Sequence, residues 1–148
     1  MMDEADASTP RWIQRFSSFT GAMVLLREGV DMLLEDPGLH PMTKEGLIQR
    51  FEFTFGLAWM TLKDYLEHQK VTLDRKGPAD VLRAAFAANY ITDGPIWMDA
   101  LDARNELSHT YRERAFARVL ADLPTRFLPI FEDLYLMLQT ERARLAGA

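Results

Sequence analysis

Eight consecutive residues, Arg104-Asn105-Glu106-Leu107-Ser108-His109-Thr110-Tyr111, place a guanidinium, a carboxamide, an imidazole and a phenol where the surrounding pattern marks a helix end. That set suits a phosphate. An arginine presents a planar fork of donors to phosphate oxygens, and a histidine titrating near neutrality can take up or deliver a proton. Arg104, Asn105 and His109 are therefore the candidate catalytic groups, with Asp102, Ser108 and Arg112 beside them as candidate substrate contacts.

Helical geometry restrains how these groups can cooperate. At ~100° per residue Met98, Asp102, Asn105 and His109 share one stripe, whereas Arg104 and His109 lie ~140° apart. Three arrangements would bring them to one phosphate. Arg104 bends round on its long stem, the helix ends before His109, or two copies of the segment face each other across a dimer. The dimer is preferred, because it assembles two Asn-His pairs and two arginines in one cleft. On spacing alone a plainer reading has the advantage, in which the segment merely caps its helix and pairs with Glu106 or Asp102.

The other histidines, His40 and His68, are far from His109 and have no carboxylates at metal-ligand spacing, so no metal site is expected. His40 sits in a proline-rich turn. His68 falls near a helix end, where the dipole favours a cation. The absence of cysteine excludes disulfides, thiolate catalysis and sulfur-ligated zinc. No cofactor is indicated.

The elements that must position Arg104 to Tyr111 read as helices throughout. Trp12, Phe16, Phe19, Met23, Leu26, Val30 and Leu33 alternate spacings of four and three, one apolar stripe of a long helix. Ser8 or Thr9 before Pro10 is its expected cap and Asp36-Pro37-Gly38 its stop. A second stripe, Ile48, Phe51, Phe55, Ala58, Leu62 and Tyr65, is widened by Leu47, Phe53, Leu57 and Met60, which makes this helix central. Thr43 is its expected cap, and Val71 to Gly77 closes the region. A third helix fits Pro78 to Asn89 with Val81, Leu82, Ala85 and Phe86 inward. After the turn Thr92-Asp93-Gly94-Pro95 a fourth starts near Ile96 and carries Trp97, Ala100, Leu101, Ala103, Arg104 and Leu107. A fifth region runs from about Glu113 to Arg144, with a break or kink near Leu123 forced by Pro124 and Pro129. The fold class is all-α, an antiparallel up-and-down bundle of four to five helices in a single domain over residues 1–148. Trp59, Trp97 and the phenylalanines are assigned to the core.

Composition narrows the function further. Net charge is −5 over 148 residues, which argues against holding nucleic acid by phosphate neutralisation alone. Locally the sign changes. Between Arg104 and Arg126, five arginines face Glu106, Glu113 and Asp122, a balance of +2. An acidic N-terminus and the lack of any apolar run near the ~20 residues of a membrane span point to a cytoplasmic protein with no membrane contact.

The block Gly46-Leu47-Ile48-Gln49-Arg50-Phe51-Glu52-Phe53-Thr54-Phe55-Gly56-Leu57-Ala58-Trp59-Met60-Thr61-Leu62-Lys63-Asp64-Tyr65-Leu66, taken with Asp102 to Tyr111, resembles the nucleotidyltransferase substrate-binding protein family of the HEPN superfamily. Polar positions such as Gln49, Glu52, Thr61 and Asn105 match as well as apolar ones. The likeness spans about residues 11–140. It implies a helical bundle, usually dimeric, encoded beside a minimal nucleotidyltransferase with which it forms a complex. It also implies an R-x4-6-H motif. In related toxin–antitoxin pairs the HEPN member is a metal-independent ribonuclease, silenced when its partner transfers AMP to the tyrosine of an R-x4-H-x-Y arrangement. Arg104, His109 and Tyr111 match that arrangement, which makes Tyr111 the expected modification site and RNA a possible substrate. Arg112 departs from the pattern, since an acidic residue is expected after the tyrosine; it adds charge that bears on partner choice or on RNA. A non-catalytic subunit that presents a substrate or a modifiable tyrosine to the nucleotidyltransferase is the alternative the family name implies.

Overall fold

The computed structural model describes residues 8–109 and 112–147, and the regular elements among them are all helical. They are α1 (Arg11–Glu35), α2 (Pro41–His68), α3 (Pro78–Ala87), α4 (Gly94–Glu106), α5 (Arg112–Asp122), a π-helical turn (Leu123–Phe127) and α6 (Leu128–Gly147). The last three run on without a gap, so the bundle has five rods. The most extensive pairing is α1 against α2, and α2 also touches α3, α4, α5 and α6. No helix among the described residues is long and apolar enough to cross a membrane.

The two long stripes account for this order. Trp12, Phe16, Phe19, Met23, Leu26 and Val30 of α1 are buried, as are Ile48, Phe51, Phe55, Ala58, Leu62 and Tyr65 of α2. The two helices approach closely at Gly29, where a Cβ would come within 2.7 Å of Leu47 Cδ1. The widening of the α2 stripe is only partial. Leu47 is buried, Leu57 and Met60 are half-buried, and Phe53 is 64% exposed. Phe86, expected inward, is also largely exposed; it lies over Gly94, whose absent side chain leaves room for the ring. Trp59 is half-buried, and its indole N–H is buried without a partner.

Several ends differ from expectation because the backbone found other partners. Helix α1 begins after Pro10, which takes an extended conformation and supplies no side-chain cap. Thr43 does not cap α2: Pro41 lacks an N–H and has φ preset for a first helical position, so the cap falls on His40, whose Nδ1 accepts from the Met42 amide at 3.1 Å. Helix α3 stops at Ala87 because Asn89 adopts φ 62°, letting Tyr90 N–H donate to Ala85 O at 2.9 Å and Asn89 N–H to Phe86 O at 3.1 Å. Lys70, with φ 64°, closes α2 in the same way. Helix α4 starts at Gly94, behind Asp93 in the left-handed region.

The break expected near Leu123 is the π-turn. Pro124 cannot donate an amide hydrogen and crowds the preceding turn, and a wider loop relieves both, with Leu128 N–H reaching back to Leu123 O. Pro129 is the second residue of α6, directly after this turn. The turn also places Phe127 in an aromatic cluster. Phe51 stacks on Phe127 at 5.5 Å, and Phe131 meets Trp97 at 5.5 Å and Phe55 at 6.3 Å, both edge-on. Four elements, α2, α4, the π-turn and α6, are thereby joined. Truncating Phe131 to Ala should lower unfolding free energy by about 3–5 kcal/mol in urea titrations; a loss under about 1 kcal/mol would mean the cluster does not hold the bundle together.

Away from this cluster Asp64 of α2 is almost fully buried, with Arg15 Nε 3.0 Å from Oδ2 but neither oxygen in an aligned hydrogen bond. Burial raises its pKa above the ordinary carboxylate value, against the opposing pull of Arg15. The native state thus binds a proton more readily than the unfolded chain, and Asp64 should erode stability as pH rises through its raised pKa. Asp64→Asn should remove that component, giving a melting temperature that falls less than the parent protein's as pH rises above the ordinary carboxylate range.

Candidate functional site

Helix α4 ends at Glu106. Leu107 N–H is shared between Ala103 O and Arg104 O at 3.3 and 3.2 Å, Ser108 N–H donates to Asn105 O at 3.1 Å, and His109 N–H to Glu106 O at 3.0 Å. The ladder tightens into three-residue turns, so His109 lies beyond the helix and the ~140° separation of a continuous helix no longer applies. The helix therefore ends before His109, as one of the three arrangements left open by the spacing requires.

Arg104 is half-buried and turns toward α2. Its guanidinium carbon lies 5.4 Å from the centre of the Phe55 ring, and Nη2 is 3.5 Å from where a Gly56 Cβ would stand. Phe55 is held by Phe51, Phe131 and Trp97 behind it, so the seat is rigid. A small residue at 56 keeps the approach to the α2 backbone open. Of the plainer reading, the pairing of Arg104 with Glu106 or Asp102 is not present. Glu106 instead accepts from Arg118 at 3.0 Å, and among the described residues Arg104 has no hydrogen bond or ion pair.

The remaining candidates are on the surface. Asp102, Asn105, Ser108 and His109 are exposed, and Arg112 is exposed with its guanidinium over Phe116 at 4.9 Å. Tyr111 and Thr110 lie outside the described residues. The structure gathers Asn105, Ser108 and His109 at the end of α4 but joins Arg104 to His109 by no hydrogen bond among those residues. Arg104 faces α2, and His109 stands in the turn that follows.

The basic stretch divides by role, a distinction spacing alone did not reveal. Arg118 on α5 ties to Glu106 and to Asp99 O at 3.4 Å, and Arg126 in the π-turn ties to Asp99 at 2.6 Å and to Asp122 at 3.3 Å. The bond from Asp99 raises the Arg126 pKa above arginine's ordinary value. These two arginines clamp α4 to α5 and the π-turn and so position the segment carrying Arg104. Positioning residues of this kind have a signal in the sequence only as unassigned charge; their partners on α4, Glu106 and Asp99, are 12 to 27 residues away.

Comparison with known proteins accords with this architecture. Residues 14–140 match the family model described as nucleotidyltransferase substrate binding protein like, and the chain belongs to that family. It is 37% identical over 76 residues to a Haemophilus influenzae protein named "Probable ribonuclease HepT". That match covers 49% of this chain and 52% of the relative, so it spans about half the length of the curated relative. Among solved structures it is similar to a Haemophilus influenzae protein described as having the fold of a substrate binding domain of a nucleotidyltransferase. The TM-score is 0.71 at 27% identity, over 84% of this chain and 98% of the other. A Thermus thermophilus protein superposes with TM-score 0.58 at 25% identity, over 74% of this chain and 94% of the other.

The seat of Arg104 can be probed at Gly56. An alanine Cβ would stand in ordinary contact with Arg104 Nη2 at 3.5 Å and Met60 Cε at 3.9 Å, so Gly56→Ala should fold and gain helix propensity of up to about 1 kcal/mol. Gly56→Leu should displace the guanidinium, seen as loss of the Arg104 side-chain contacts to Phe55 in NMR while the helical circular dichroism persists. Retention of those contacts in the leucine variant would show that Gly56 does not define the seat.

Proposed function

We propose that this chain is the HEPN-family partner of a minimal nucleotidyltransferase and acts as a metal-independent endoribonuclease, silenced when the partner transfers AMP to Tyr111. The observation that carries this reading is the state of Arg104. A half-buried guanidinium held by an aromatic face, with no carboxylate on it among the described residues, keeps its full charge for an incoming anion. It lies five residues before an exposed imidazole. Family membership and the likeness to a protein named as a ribonuclease support the same reading.

In the proposed reaction His109 takes the proton of a ribose 2′-hydroxyl, whose oxygen attacks the adjacent phosphorus. The bond from phosphorus to the 5′-oxygen breaks, a 2′,3′-cyclic phosphate forms, and the leaving oxygen receives a proton. Arg104 stabilises the extra negative charge on the phosphorane, and Asn105 orients the phosphate or the imidazole. Asp102, Ser108 and Arg112 border the same end of α4 as substrate contacts. A second copy would supply a second His109, so that one acts as base and the other as acid. The exposed Phe53 lies three residues before Gly56 on α2, an apolar contact suited to that copy.

Silencing follows from chemistry at one atom. The Tyr111 phenol oxygen bonds to the α-phosphorus of a nucleoside triphosphate, pyrophosphate leaves, the phenol proton is released, and a bulky anion is fixed two residues from His109. The second reading, a non-catalytic subunit presenting a substrate to the nucleotidyltransferase, is favoured by one feature: among the described residues no group hydrogen-bonds the His109 ring to orient it.

His109→Ala should lower RNA cleavage about 10²–10⁴-fold, and Arg104→Ala about 10²–10³-fold, both measured in the presence of chelator. Tyr111→Phe should retain cleavage and escape silencing on co-expression with the partner. Undiminished cleavage by His109→Ala, or cleavage that requires added metal, would leave the non-catalytic reading. A monomer by gel filtration with light scattering would remove the shared cleft, and Phe53→Glu should convert a dimer to monomer.

A further inference from the structure

A groove of about 410 Å³ opens between the start of α2 and α5. It is distinct from the seat of Arg104, since Glu45 in its wall lies eleven residues before Gly56 on α2, ~17 Å of helix. Pro41, Phe116 and Leu120 give it an apolar floor. The Arg112 guanidinium lies over the Phe116 ring, 4.9 Å from its centre. Phe116 is half-buried and Arg112 exposed, so the ring supports one face of the guanidinium and leaves the other to solvent. Each wall carries one cation and one carboxylate, Lys44 and Glu45 on α2, Arg112 and Glu113 on α5. Among the described residues these four charges make no hydrogen bond or ion pair.

An inorganic anion, or RNA backbone alone, would be repelled by the two carboxylates. An apolar side chain would strand four charges without a partner. A nucleotide answers both objections, because its base is flat and apolar on its faces, has N–H donors at its edge and brings a phosphate with it. Bases of single-stranded RNA stack on guanidinium planes as they do on aromatic rings, and are read along their Watson–Crick edges. Guanine suits a carboxylate best. Its N1–H and N2–H stand side by side and donate together to the two oxygens, whereas uracil sets a carbonyl on either side of its single N–H. Arg112 comes three residues after His109, so their Cα atoms are no more than ~11 Å apart. A strand held at His109 therefore reaches the groove within a few nucleotides.

We propose that the groove reads one guanine of the RNA strand cut at the end of α4, with the base stacked on the Arg112 guanidinium and its edge bonded to Glu45 or Glu113; this rests on the reading of the chain as a ribonuclease. Lys44 meets a phosphate of the same strand. Phe116 supports the guanidinium instead of taking the base, which makes it a positioning residue. Arg112 is also where the sequence departs from the pattern it otherwise matches, so the platform belongs to this chain and not to the pattern.

The test maps the cuts made by the full chain in single-stranded RNA oligonucleotides of mixed sequence. Guanine should be favoured over uracil about tenfold or more at one fixed position relative to the broken bond. Arg112→Ala, and Glu45→Gln or Glu113→Gln, should bring that preference close to parity and raise KM for the preferred oligonucleotide about tenfold, with unchanged circular dichroism. Phe116→Leu should weaken the preference and Phe116→Tyr restore it. On the His109→Ala chain, a guanine-containing trinucleotide should shift the NMR signals of Phe116 and Lys44, and its uracil counterpart should not. The proposal is overturned if the cuts show no base preference, if the preference survives Arg112→Ala and both glutamate variants, or if the two trinucleotides move the groove signals alike. A parent chain that cuts no RNA would instead refute the ribonuclease reading, and this proposal with it.

Discussion

The arrangement at the end of α4 depends on how Arg104 is held without being neutralised. A half-buried guanidinium loses hydration and ordinarily recovers that loss in a carboxylate, which here would cancel the charge. Contact with an aromatic face contributes about 0.5–2 kcal/mol and leaves the cation's outward donors free. The Phe55 ring supplies that face. It is fixed from behind by Phe51, Phe131 and Trp97, contributed by α2, α6 and α4. The core aromatics thus do more than fill volume; they form the platform of a surface charge.

That platform requires α4 to stay in register with its neighbours, and the acidic residues of the region serve that end. Asp99 and Glu106 could each have paired with Arg104, the first by long reach and the second by adjacency in sequence. They are engaged by Arg126 and Arg118 instead. Both of these pairs are partly exposed, so each is worth little as isolated stabilisation, of order 0–1 kcal/mol. Their consequence is selective. By occupying Asp99 and Glu106 they leave Arg104 without an ion pair among the described residues, and by spanning α4, α5 and the π-turn they resist a rotation of α4 that would swing it off Phe55. Pro124 contributes to the same end, because the π-turn it imposes sets where Arg126 leaves the backbone.

The bundle was legible in the sequence because long helices bury one stripe, and a stripe of Trp12, Phe16, Phe19, Met23, Leu26 and Val30 admits few readings. The proline-induced break near Leu123 was legible for an equally local reason. Features that depend on tertiary partners were not. Phe53 shares composition with the core but not its side of α2, since the widened stripe carried no mark of where burial stops. Lys70 and Asn89 end their helices in a left-handed conformation that glycine would have advertised and they do not. His40 caps α2 through a ring nitrogen, a role hidden behind the more familiar Thr43. At the site the residue types were evident, whereas the pairing of Glu106 with Arg118 was not, because twelve residues and a turn separate them and nothing periodic links them.

The division of the arginines also reconciles a net charge of −5 with a site for phosphate. Beyond a Debye length, about 8 Å at physiological ionic strength, a polyanion is screened from the overall negative charge. Within that distance it meets Arg104 and Arg112, each lying on an aromatic ring rather than on a carboxylate. Attraction of this short range gives little steering and little non-specific affinity, since few counterions are released. It rewards only a ligand that reaches both the guanidinium and the exposed groups beside it. On the proposed function, an acidic protein with two such arginines would select a phosphodiester by fit at close quarters and would be poorly suited to coating nucleic acid.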